Sequence, residues 1–209
     1  MFNVNTPFWR FLNKMTDQFL LSLLWLLCSI PVVTFGASTT AFVTISMELH
    51  QDLEGAMFRD FFRQFRRNFK RATVTWLVQI VALLFVAVDL RLCYLMDSGA
   101  GWFLIAVITV LAVLFFMAAW YTWPLIAHSS ASLGQIWKQA AYIMVTYLPH
   151  SAAMLLLLGI GFIIADLAPY LGILIPSVIC YQYARIFVWI FGRDPNVQTI
   201  LEEGAQQGG

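Results

Sequence analysis

From Trp102 to Ala127 the chain carries not one Asp, Glu, Lys or Arg. A helix of that length covers roughly 39 Å, more than the roughly 30 Å hydrocarbon core of a bilayer. Residues 72–96, 150–165 and 170–191 form comparable apolar windows, and residues 19–35 a shorter one. In lipid the backbone groups of such windows find partners only within regular structure. Composition agrees: 61% of the 209 residues are hydrophobic and 11% charged, against about 45–50% and about 25% in ordinary soluble domains. The expected fold is therefore all-α, a polytopic transmembrane helix bundle forming a single domain over residues 1–203. The Gly/Gln-rich tail, residues 204–209, is expected to be disordered. The N-terminus is too polar and aromatic for a cleaved signal peptide.

One segment breaks the apolar pattern. Phe58, Phe61, Phe62, Phe65 and Phe69 recur at helical spacing, while Arg59, Arg63, Arg66, Arg67, Lys70 and Arg71 sit mostly on the other side. A basic-aromatic helix next to a span marks the cytoplasmic face, where it is expected to lie flat among headgroups, binding anionic lipid or docking a partner. Ser132 and Gln135 have capping-box spacing and begin a second candidate interfacial helix, ending near Pro149. Net charge is only +1. The basic character is thus local, and nucleic acid is not an expected partner.

Residues 8–18 read as a short amphipathic leading helix before the first span. Pro31 removes a backbone donor near the end of that span, and Gly36 supplies a flexible corner. Residues 19–49 then form either a hairpin broken between Pro31 and Gly36 or one kinked helix. The hairpin gives six spans and a cytoplasmic N-terminus; the kinked helix gives five and an outside one. A straight helix over this stretch would run roughly 46 Å, too long for one crossing, so six spans are expected. Basic residues in the 50–71 and 128–141 connections place these loops and both termini in the cytoplasm.

Two motifs carry a family resemblance. The first is Pro31-Val-Val-Thr-Phe-Gly36-Ala-Ser38. The second runs from Phe65 through Asn68 and Phe69 to Ala72-Thr73. The chain resembles the bacterial YesL-like integral membrane proteins, strongly over about residues 8–80. That resemblance implies an accessory role beside a carbohydrate ABC transporter in the bacterial plasma membrane, with permease or ATPase subunits as partners. It implies no catalytic residues and no cofactor.

Chemical motifs are sparse. The chain has no phosphate-binding Gly-Lys-Ser/Thr loop, no Gly-x-Ser-x-Gly elbow and no His-Glu-x-x-His. Cys28, Cys93 and Cys180 are odd in number and lie in apolar runs, as packing thiols do. His50 stands between Glu48 and Asp52, but that spacing puts only two of the three on one helix face. The clearest clues are charges inside spans, which cost roughly 2.5–3.5 kcal/mol each when unpaired. Glu48 and Arg185 fall at matched depth in the inner half and are expected to pair; Asp89 and Arg91 lie near the outer end. The function expected is a non-catalytic accessory or regulatory membrane protein. A small secondary transporter or channel acting by itself is the alternative.

Overall fold

The computed structural model describes residues 7–51, 56–96, 98–129, 131–167, 175–193 and 198; the C-terminal tail expected to be disordered lies outside them. Among the described residues seven α-helices follow one another: α1 Pro7–Ser29, α2 Phe35–His50, α3 Met57–Leu95, α4 Gly99–His128, α5 Leu133–Thr146, α6 Leu148–Leu167 and α7 Ile175–Arg193. The fold is all-α, as expected.

A hairpin breaks at the expected place. Helix α1 ends at Ser29, a single 3-10 turn spans Val32–Thr34, and α2 begins at Phe35. Pro31 has no N–H, so nearby carbonyls lose their usual donor. The Thr34 hydroxyl takes over, lying 2.6 Å from the Cys28 carbonyl and 2.7 Å from that of Pro31. The two arms run antiparallel. Gln18 donates to Ser46 Oγ at 2.9 Å, the Trp25 indole to Thr39 Oγ1 at 3.1 Å, and Ser29 and Ser38 lie 2.7 Å apart. Each such interhelical bond contributes about 0.6 kcal/mol in a membrane protein. No boundary separates the leading helix at 8–18 from the first arm, because nothing there interrupts the backbone ladder.

Among the described residues five helices are long and apolar enough to cross a membrane: residues 32–50, α3, α4, α6 and α7. The sixth expected span, α1, falls short because Lys14 and Asp17 sit midway along it. The protein is a multi-pass membrane protein. Helix α2 is its axis, buried from Gly36 to Met47 and packed against α1, α3, α4 and α7.

Two expectations about surface helices change. The basic-aromatic segment is not a separate flat helix but the first half of α3, which continues unbroken into the span. Neither Gly nor Pro occurs between Met57 and Leu95, so nothing releases the helix into a bend. Helix α5 starts at its capping box, where Gln135 Oε1 accepts from the Ser132 N–H at 3.0 Å. It then folds back onto α4, burying Ile136, Ala140 and Ile143 and stacking Trp137 on Phe115 with ring centroids 5.1 Å apart.

Candidate functional site

The two sequence motifs meet. The hairpin tip lies against α3, with Trp76 Nε1 donating to the Val32 carbonyl at 2.8 Å and Thr73 Oγ1 to that of Val33 at 3.4 Å. Phe35 rests on the Trp76 ring with centroids 4.5 Å apart. Gly36 was expected to be a flexible corner; it is instead a buried packing position within α2. A Cβ there would stand 2.6 Å from the Ala72 carbonyl oxygen and 2.8 Å from the Trp76 Cβ. The first motif needs glycine because the second approaches so closely.

Behind this contact lies a cavity of about 420 Å³. Helices α1 and α2 give it Trp25, Phe35, Thr39 and Phe42, and α3 gives Trp76 and Gln79. Phe116, Trp120, Tyr121 and Trp123 of α4 form the facing wall, with Met154, Leu155 and Leu158 of α6 and Ile179 and Tyr183 of α7 completing it. The size and the aromatic lining are those of small-ligand pockets.

Polar groups of the wall bond mostly within the wall. The Tyr121 and Ser151 hydroxyls lie 2.6 Å apart, and the Tyr183 hydroxyl donates to the Trp120 carbonyl. Gln79 Nε2 reaches the Ala119 carbonyl and Thr122 Oγ1, each at 3.4 Å. The space is therefore suited to stacking and apolar contact more than to a ligand that must be held by many hydrogen bonds. Helix α6 is fastened at two places around it. One is Ser151; the other is Gly161, where a Cβ would stand 2.8 Å from Ile179 and 2.9 Å from Ile175 of α7. The cavity lies between.

The basic stretch divides by role. Arg67 Nη2 donates to the Ala127 carbonyl at 2.8 Å, and Arg71 donates to the carbonyls of Ser129 and Ala131. These cations cap the C-terminus of α4, where carbonyls lack intrahelical partners and the helix dipole is negative. Arg63 pairs with Asp60 at 2.8 Å. Arg59, Arg66 and Lys70 are exposed. Of the phenylalanines, Phe61 is fully buried and Phe65 partly so, while Phe58, Phe62 and Phe69 are exposed. The face that α3 buries is Phe61, Gln64, Asn68, Ala72, Thr75 and Gln79. The spacing of this face by three and four is present in the sequence, but its amides are less conspicuous there than the phenylalanines.

Glu48 and Arg185 form no ion pair among the described residues. Half-buried Glu48 faces α3, hydrogen-bonding Gln64 within the field of Asp60, Arg63 and Arg67. Exposed Arg185 faces a different cleft, with His50 and His150. Matched depth brings two residues together only if their helix faces also match, and here they do not. Asp89 and Arg91 are both exposed near the end of α3.

Residues 19–90 match the family described as "Protein of unknown function, DUF624", a segment that contains both motifs and their contact. "Uncharacterized protein YesL" of Bacillus subtilis (strain 168) is 25% identical over 127 residues. That match spans 59% of this chain and 59% of the relative. No solved structure matches. The motif contact, the family match and the relative agree: the chain is a multi-pass membrane protein similar to the YesL-like proteins.

Proposed function

We propose that this protein is a non-catalytic accessory or regulatory subunit that binds a carbohydrate ABC transporter within the bacterial plasma membrane. The observation that carries the reading is the far half of the α3–α4 pair. The hairpin tip reaches α3 at Thr73 and Trp76, leaving roughly 28 Å of helix beyond it. There α3 and α4 pack on one another while Leu84 (60%), Phe85 (69%), Val88 (56%), Phe103 (70%) and Leu111 (60%) stay exposed. In a bilayer the helices of a partner can pack along such a pair in place of lipid. The cavity hydroxyls, engaged with one another and with backbone, have the pattern of a packed interior rather than of an activated nucleophile.

Both termini face the cytoplasm in this reading, with α1, the first arm of the hairpin, making the sixth crossing beside the five more apolar helices. Exposed Arg59, Arg66 and Lys70 on α3 mark that side, together with Lys138 on α5. Affinity purification from native membranes tests the assignment. Permease or ATPase subunits should co-purify, and Leu84→Arg with Val88→Arg should release them. Solute flux through liposomes holding this protein alone would overturn it. The cavity favours that second reading, a small transporter acting by itself, and liposome flux lost on filling the cavity would establish it.

A further inference from the structure

We propose that the cleft between the end of α2, the start of α6 and the second half of α7 binds the headgroup of an anionic phospholipid. The cleft has a volume of about 500 Å³, and its polar side chains are His50, His150, Gln182 and Arg185. Each can donate a hydrogen bond, and among the described residues no carboxylate lines the space. The one nearby acid on α2, Glu48, is turned to Gln64 and the charges of α3. Arg185 and Gln182 make no hydrogen bond or ion pair among the described residues. An exposed guanidinium on a span helix, beside imidazoles and an amide, calls for an anion.

The surroundings specify a lipid rather than a free ion. Trp189 floors one side, with the His150 ring parallel to it at 5.1 Å and the Arg193 guanidinium 5.2 Å over the same indole. Tyr147 packs edge-on against the same Trp189 at 5.9 Å. Tryptophan, tyrosine and arginine gathered where helices begin and end are the mark of a membrane interface, the depth of lipid phosphates. Helix α6 begins here, so its positive dipole end points the same way. Leading away along α6, Leu156 (68%) and Ile160 (53%) are exposed and provide an apolar track for a chain attached to that headgroup. The exposed arginines of α3, at another place on the bundle, are not needed for this site.

Native mass spectrometry of the full chain in detergent, titrated with phosphatidylglycerol, phosphatidylcholine or inorganic phosphate, tests the site. Phosphatidylglycerol should be retained most tightly, and Arg185→Gln should weaken it about tenfold or more. Arg185→Lys should restore part of the loss, whereas Arg66→Gln and Lys70→Gln should change retention less than twofold. Gln182→Leu provides a second, milder loss should the arginine variant fold poorly. Unchanged phosphatidylglycerol retention in Arg185→Gln and Gln182→Leu would overturn the site. Equal retention of phosphatidylcholine would overturn its charge selectivity, and displacement by inorganic phosphate at comparable concentration would overturn the lipid assignment.

Discussion

The guanidinium of Arg71 donates to the main-chain carbonyl of Ser129 across 2.7 Å, tying the middle of α3 to the turn that ends α4. A second nitrogen of the same group reaches the Ala131 carbonyl, and Arg67, one helical turn away, donates to that of Ala127. Two carbonyls at the end of α4, of Ala127 and its cap Ser129, and one in the following turn, of Ala131, are satisfied by two neighbouring arginines. The clamp sets where α5 begins.

Arg71→Gln should therefore destabilise the fold by about 1.5–3 kcal/mol, the range for hydrogen bonds to a charged group. Arg71→Lys should recover little, because a single ammonium nitrogen lacks the planar fork whose two nitrogens meet the two carbonyls separately. Exposed Arg66→Gln should fall within about 0.5 kcal/mol. Thermal unfolding of the three variants in one detergent makes the comparison.

Gly36→Ala should cost about 1–3 kcal/mol by forcing α2 from α3, since its Cβ would sit 2.6 Å from a carbonyl oxygen. Gly134→Ala meets nothing within 4 Å and should be neutral or slightly stabilising in α5. Equal melting temperatures for the two variants would contradict the close contact between the motifs.

Phe61 and Phe62 are neighbours with opposite environments, the first fully buried and the second 46% exposed. Phe61→Ala should lose about 3–5 kcal/mol, as large truncations in packed interiors do. Phe62→Ala should lose far less. Chemical denaturation of the purified protein separates them, and equal losses would mean that this half of α3 lies loose on a lipid surface.

Tyr121 and Ser151 form a buried pair joining α4 to α6. Tyr121→Phe alone, or Ser151→Ala alone, should cost about 1–3 kcal/mol by leaving a buried hydroxyl with a poorer partner. The double variant should cost less than the sum. A double-mutant cycle measures that coupling, and strict additivity would show that the pair does not hold α6.

A cycle on Glu48→Gln and Arg185→Gln should show no coupling, because the two side chains face different neighbours. Glu48→Gln with Gln64→Leu should couple by about 0.5–3 kcal/mol. The reverse pattern would restore the charge pair expected from depth.

Fold class and the hairpin break are legible in the residues alone. Apolar windows at 72–96, 102–127, 150–165 and 170–191 overlap α3, α4, α6 and α7, since length and hydropathy are properties of a segment taken alone. Pro31 announced the hairpin because a missing N–H acts locally, and Ser132 with Gln135 announced α5 for the same reason. Direction and partnership were decided by tertiary structure. Nothing within Phe58 to Arg71 tells whether the helix lies flat or continues as a span; that depends on the unbroken backbone beyond it and on α2, against which α3 packs. Likewise, which arginines cap a distant helix, and whether Glu48 meets Arg185, depend on rotations between helices. Periodicity defines the faces of one helix, whereas the facing of two helices is set only when both are packed.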